Sequence, residues 1–265
     1  MSASLPPIVL VTGAGRGLGS GIAKELAKSG FSVALHYGSS RGGAEEVAVA
    51  CAELASSKEQ QFIPVGADLG DSETRSGLVA QVIEKFGHLD ALVNNAGITE
   101  PNRRDCLEAA EEDFDTVMDI NLKAPYFLTQ AAAQYWVANP DKGRIESGYK
   151  ALFISSISSD TVSVNRGAYC VSKAGVSMAT QVWAARLAEH GIQVNDIRPG
   201  IMTSDMTAGA QSKYDDLIAD GLVPQRRWGT GEDLGKAVAS ICSGDFPFTT
   251  GTVIPVDGGF HIKRL

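Results

Sequence analysis

The stretch "AYCVSKAG" places Tyr169 and Lys173 four residues apart in a segment of helical character, so both belong on one face. A free phenol titrates near ~10 and is a poor proton carrier at neutral pH. An ammonium beside it stabilises the phenolate and lowers that value. The pair is therefore a physically sensible unit for moving a hydroxyl proton, although the same spacing also describes an ordinary exposed helix pair. Thirteen residues before Tyr169, Ser156 falls at the carboxyl end of an apolar run. A hydroxyl there could donate to a substrate oxygen. Ser155 and Ser158 in "SSISS" compete for that role, and a turn or cap serine is the plainer reading.

A second stretch, "VTGAGRGLGSG", carries glycines at 13, 15, 17, 19 and 21. The G-x-G-x-x-G fingerprint fails in every register, because its third glycine would fall on Leu18, Ser20 or Ile22. The pattern that fits is T-G-x-x-x-G-x-G: Thr12, Gly13, Gly17, Gly19. Glycines also gather in plain turns. Here they follow an apolar run and open an amphipathic helix, whose N-terminal N–H groups suit a pyrophosphate.

The end of the next strand bears on which nucleotide fits. An NAD site usually places an acid there for the ribose 2′-hydroxyl. No acidic residue occurs from Phe31 to Ala44; the stretch reads "HYGSSRGG" instead. Ser39, Ser40 and Arg41, with Arg16 from the glycine loop, could bind a 2′-phosphate. Charge thus favours NADP(H), with NAD(H) possible, against the alternative that these are solvated loop residues.

Alternating elements must position these groups. Strands are expected at 8–12, 32–37, 62–69, 91–97, 150–158, 192–200 and 252–259. Helices are expected between them: 18–30 closed by Gly30, 42–57, a helix capped by Ser72 and closed by Gly87, 111–138, 168–190 stopped by Gly191, and 231–242. The region 201–230 reads as looser. Strand–helix alternation predicts an α/β, Rossmann-type, doubly wound parallel sheet of about seven strands. No composition shift marks a linker, so residues 1–265 are expected to form one domain.

Composition excludes several classes. The 265 residues are 44% hydrophobic and 20% charged, with net charge −8, which argues against a nucleic-acid groove and mildly against an acidic protein partner. No apolar run approaches the ~20 residues of a membrane span, and no basic leader precedes "IVLVT", so a cytoplasmic protein without a signal peptide is expected. The four cysteines and four histidines are scattered without metal-ligand spacing. Reduced thiols and no dedicated metal site are expected.

Taken in order, "TGAGRGLG", Asp68 in "ADL", "NNAG", Asn121 in "DINLKAPY", Ser156, Tyr169 with Lys173, "RPG" at 198–200 and "TGTVIPVDGG" resemble the short-chain dehydrogenase/reductase family over nearly the whole chain. The resemblance implies hydride transfer between a nicotinamide cofactor and a ketone or alcohol. It implies that Tyr169 is the general acid in reduction, Lys173 tunes it and binds the nicotinamide ribose, Ser156 orients the carbonyl, and Asn121 holds a relay water. It further implies cofactor contacts from Thr12, Gly13, Gly15, Arg16, Gly17, Leu18, Gly19, Tyr37, Asp68, Leu69, Asn95, Ala96, Gly97, Pro199, Gly200, Ile201 and Ser204, and assembly as a homotetramer or homodimer.

Two departures stand out. The Asn121–Ser156 interval is long, with the excess expected as a surface loop at 139–150. Ser204, beside Thr203, stands where relatives often carry threonine. The look-alikes are 3-oxoacyl-[acyl-carrier-protein] reductase types. An acidic carrier would require a basic rim, yet only Lys123, Arg186, His190, Arg226 and Arg227 are available. The readings are a β-keto reductase acting on a small or thioester carbonyl, a sugar or polyol dehydrogenase, and a non-catalytic nucleotide sensor.

Overall fold

Seven strands form one parallel sheet in a computed structural model that describes residues 5–209 and 211–264. The first residues, on which the expected lack of a leader partly rests, lie outside the described ones. The strands are β1 Ile8–Val11, β2 Ser32–Tyr37, β3 Phe62–Gly66, β4 Ala91–Asn94, β5 Lys150–Ile154, β6 Gln193–Pro199 and β7 Val253–Val256, in spatial order β3-β2-β1-β4-β5-β6-β7. Strand order reverses between β1 and β4, and that crevice at the carboxyl edge is where ligands of open α/β sheets sit.

Both faces of the sheet are covered. Helices α1 Gly17–Lys28, α2 Arg41–Leu54 and α9 Gly231–Ser243 pack one face through Ile22, Leu26, Val47, Leu234 and Val238. Helices α3 Ser72–Phe86, α5 Ala124–Ala138 and α6 Gly167–Leu187 cover the other through Leu78, Leu128, Trp136, Val176 and Trp183. Short helices α4 Glu111–Met118, α7 Asp205–Ala208 and α8 Gln211–Ala219 complete the chain. No helix among the described residues is long and apolar enough to cross a membrane.

Three local expectations are corrected. The helix read as continuous over 111–138 is broken by a π-turn at Asp119–Lys123, where the Ala124 N–H reaches back to the Asp119 carbonyl. Pro125 has no N–H to give the Asn121 carbonyl four residues back, so the regular ladder cannot run through. The cap of α3 is Asp71, not Ser72: its carboxylate accepts the Thr74 N–H at 2.7 Å. The stretch 139–150 is a surface loop only in part: residues 140–143 are exposed, whereas Ile145, Tyr149 and Lys150 are buried and Tyr149 stacks on Trp136. It lies at the amino edge of β4 and β5, opposite the glycine loop.

Gly21, the fifth glycine of its stretch, serves packing. A Cβ there would collide with the Gly231 backbone, so α1 and α9 cross this closely only because Gly21 is bare, and one on Gly231 would also be tight, at 3.2 Å from Gly21 Cα.

Candidate active site

The turn after β1 is assembled by long-range contacts. Gly13 takes φ +65° and Gly17 φ +54°. Gly19 lies so close to the Gly13 carbonyl that no side chain fits between them. Arg16, the N-cap of α1, supplies no side-chain cap, which leaves the first-turn N–H groups open toward the cleft. A bare, N–H-lined helix start fits a pyrophosphate.

Thr12 and Asn95 brace this turn. The Thr12 hydroxyl accepts the N–H groups of Asn95 and Ala96, each at 2.9 Å, and the Asn95 amide donates to the Thr12 carbonyl at 2.8 Å. His36, which sequence reasoning passed over as one scattered histidine, takes the Gly13 N–H on Nδ1 at 3.1 Å.

Ser40 lies beside the glycine turn: a Cβ on Gly15 would stand 3.3 Å from the Ser40 carbonyl and 3.1 Å from the Ala44 nitrogen. Ser39, Ser40 and Arg41 are exposed there, and Tyr37 closes the strand end over Gly66. Arg41 pairs with Glu45 at 2.8 Å and Arg16 with Asp205 at 3.4 Å, both on the surface. Asp68 is exposed, with one oxygen accepting the Gly70 N–H. Leu69 turns its side chain into the core, and its carbonyl accepts from the Arg75 guanidinium at 2.8 Å, so neither is open to the groove. Gly200 sits against Asp257 with no room for a Cβ, beside buried Pro199. Ile201 is half-buried, and Ser204 is engaged in capping α7 with Thr207.

The chemistry-bearing side chains converge at the carboxyl ends of β4 and β5. Tyr169 and Lys173 share one buried face of α6, with Lys173 Nζ 5.7 Å from the Tyr169 ring centroid. The ammonium donates to the Ile154 carbonyl at 2.8 Å. Burial lowers Lys173 to about 8, opposed by the buried Asp196 carboxylate. Burial raises Tyr169, while Ser156 and then Arg166 draw it down. Ser156, rather than Ser155 or Ser158, is therefore the serine beside the phenol. Ser155 has a buried hydroxyl without a partner, and the Ser158 N–H donates to Ser156 Oγ.

Asn121 is clamped at the π-turn. Its Oδ1 accepts the Ile98 N–H at 2.8 Å, and its Nδ2 donates to the Ile98 carbonyl and to Ser172 Oγ. Gly97 lets these groups close in, since a Cβ would stand 3.3 Å from Asn121 Oδ1 and 3.5 Å from Lys173 Nζ.

Four of the basic residues weighed for an acidic carrier have partners on the surface. Lys123 pairs with Asp119, Arg186 with Glu189, and Arg227 with Asp233 through two hydrogen bonds, while Arg226 donates to the Ala219 carbonyl. Burial pushes the Cys51 and Cys242 thiols up to about 12, so neither is a nucleophile.

Comparison with known proteins shows the family. Residues 13–261 match the family model described as enoyl-(acyl carrier protein) reductase. The chain is 34% identical over 253 residues to the 3-oxoacyl-[acyl-carrier-protein] reductase FabG of Staphylococcus aureus, covering 96% of this chain and 97% of that protein. It is 33% identical over 261 residues to the 2-dehydro-3-deoxy-D-gluconate 5-dehydrogenase of Escherichia coli, covering 96% and 94%. The crystal structure of a 3-oxoacyl-[acyl-carrier protein] reductase from Brucella melitensis in complex with NAD superposes with a TM-score of 0.91 at 42% identity, covering 98% and 99%. The chain belongs to the short-chain dehydrogenase/reductase family of oxidoreductases.

Proposed function

We propose that the protein is an NADP(H)-dependent carbonyl reductase of the 3-oxoacyl type, interconverting a β-keto group and a secondary alcohol. The observation that carries this reading is the burial of Tyr169 and Lys173 with Ser156 on the same carboxyl edge of the sheet as the open helix start after β1.

The nicotinamide cofactor supplies the hydride. The turn from Gly13 to Gly19 would hold its pyrophosphate, with Asp68 at the adenine and Asn95, Ala96 and Gly97 along the groove. Ser39, Ser40 and Arg41, with Arg16, would receive a 2′-phosphate once the exposed pairs to Glu45 and Asp205 open. Ile201 and Ser204 would stand at the carboxamide. Ser156 donates to the substrate carbonyl, and Tyr169 gives the proton to the developing alkoxide. Lys173 favours phenolate formation through its charge. The Asn121 side chain is held by Ile98 and Ser172, so a relay water would be held through its main-chain carbonyl, to which Pro125 can give no N–H.

Because the two long helices carry few basic residues, a small or thioester β-keto compound is favoured over a tightly docked acidic carrier protein. The E. coli relative keeps a sugar-acid dehydrogenase as the second reading. A homotetramer or homodimer is the reading for assembly, since Phe127, Val171, Met178 and Val182 on α5 and α6 are exposed large apolar side chains.

Tryptophan fluorescence titration with NADPH and NADH tests the cofactor, and turnover of acetoacetyl thioesters against a sugar panel tests the substrate. NADPH preference with thioester turnover is expected. NAD-linked sugar oxidation alone would overturn the reading in favour of the second.

A further inference from the structure

We propose that Glu100 is a positioning residue for the reaction, an in-trans cap on α6 that sets where Tyr169 stands in the cleft. The inference rests on Tyr169 being the acid, as argued above.

Glu100 ends the segment that leaves β4, whereas Tyr169 opens the helix 69 residues later. Glu100 Oε1 accepts the Tyr169 main-chain N–H at 3.0 Å. That N–H is among the first of α6, where no intrahelical carbonyl is available. The local cap position is held by Arg166, which makes no side-chain cap. The helix start therefore takes its acceptor from another part of the chain. The other carboxylate oxygen accepts the Thr99 hydroxyl at 3.0 Å, which fixes the carboxylate's rotation.

The segment carrying Glu100 is anchored a second time. Asn121 holds both the N–H and the carbonyl of Ile98, two residues earlier, and donates to Ser172, whose hydroxyl donates to the Tyr169 carbonyl. The Tyr169 main chain is thus gripped at its N–H by Glu100 and at its carbonyl through Ser172. A tyrosine that must meet a carbonyl carbon's oxygen within a few tenths of an ångström gains from such a two-ended hold.

Glu100 also contributes charge. Around Tyr169, Arg166 lies 5.5 Å and Lys173 5.7 Å from the ring centroid, with Ser156, Cys170 and Glu100 beside them. The carboxylate opposes ionisation of the phenol. In the reducing direction Tyr169 must carry its proton, so activity is lost as pH rises through its pKa. Removing the Glu100 charge moves that alkaline limb to lower pH.

The test compares Glu100→Gln and Glu100→Ala with the parent for carbonyl reduction across pH, with NADPH affinity by fluorescence. The amide keeps an acceptor for the Tyr169 N–H and loses the charge; alanine loses both. Expected are a fall in kcat of about tenfold for Glu100→Ala, a smaller fall for Glu100→Gln, an alkaline limb shifted down in both, and NADPH affinity within about twofold of the parent. Should Glu100→Ala not fold, Glu100→Gln decides alone, through its kcat together with its limb. An unmoved limb and unchanged kcat overturn the inference, as does a loss confined to NADPH affinity. Tyr169→Phe run alongside separates the two failures: retained turnover there sinks the acid assignment itself.

Discussion

Nδ1 of His36 accepts the Gly13 N–H at 3.1 Å while Nε2 faces the Ala67 carbonyl at 3.0 Å, so one ring ties together the exits of β1, β2 and β3. A nitrogen facing an N–H must be bare, and one facing a carbonyl must carry hydrogen. Only the neutral Nε2–H tautomer satisfies both. Burial holds His36 below 6.5, partly opposed by the Ala67 bond. Below 6.5 the unfolded chain takes up a proton that the folded site resists. This contribution is therefore present above that pH and is lost as pH falls below it. Thermal unfolding from about pH 5 to 8 should show the parent losing stability on the acid side more steeply than His36→Leu, which is itself weakened by roughly 1–3 kcal/mol. Parallel slopes would refute the tautomer argument.

Gly97 gives a sharper test of site geometry. A methyl group at this position would stand 3.3 Å from Asn121 Oδ1, which must give by a few tenths of an ångström, and in ordinary contact with Lys173 Nζ at 3.5 Å. Gly97→Ala should cost only about 1 kcal/mol in stability but lower kcat by about tenfold, as misplaced reacting groups do. Unfolding and steady-state rates measured on one preparation check this; unchanged kcat would mean the cleft has slack.

Much of this site could be read from residue types alone. The Tyr169–Lys173 spacing, the apolar strand runs and the glycine turn are local signals, and the sheet follows from their alternation. Contacts between distant segments leave no such trace. Glu100 reaching Tyr169, His36 reaching Gly13 and Asn121 clamping Ile98 all join separate elements. Nor does charge at a position reveal its partner: Arg16 and Arg41 read as free guanidiniums, yet each faces a carboxylate. Two misses did have local signals. Pro125 announces a break in a helix read straight through, and Ile145 with Tyr149 announces burial in a stretch read as surface loop.

Arg41 and Glu45 together predict cofactor choice. Their pair is exposed at 74% and 53% of side-chain area and is worth little to stability. A 2′-phosphate would compete with Glu45 for the guanidinium. Arg41→Ala should weaken NADPH binding by about tenfold or more, one lost charge-assisted bond, and leave NADH nearly unchanged. Glu45→Gln should tighten NADPH alone. Equal effects on both cofactors in fluorescence titrations would remove the 2′-phosphate reading while leaving the fold of the loop intact.

Asp90 predicts the converse, stability without chemistry. It is fully buried at the amino edge of the sheet, on the side away from the cleft. One oxygen accepts the Ile8 N–H at 2.8 Å; the other accepts the Arg144 N–H at 2.7 Å and meets His88 Nε2 at 2.9 Å. His88 in turn meets the Tyr135 hydroxyl at 2.7 Å. Asp90→Ala strands two main-chain donors and the imidazole, at about 1–3 kcal/mol for each buried group left unpaired. A total near 3 kcal/mol corresponds to a fall of about 6–12 °C in Tm for a chain this long. Below the new transition, KM for cofactor and substrate should match the parent, because nothing at the carboxyl edge has moved. A raised KM with an unchanged Tm would show that this network is coupled to the cleft through β4, whose two ends hold Asp90 and Asn95.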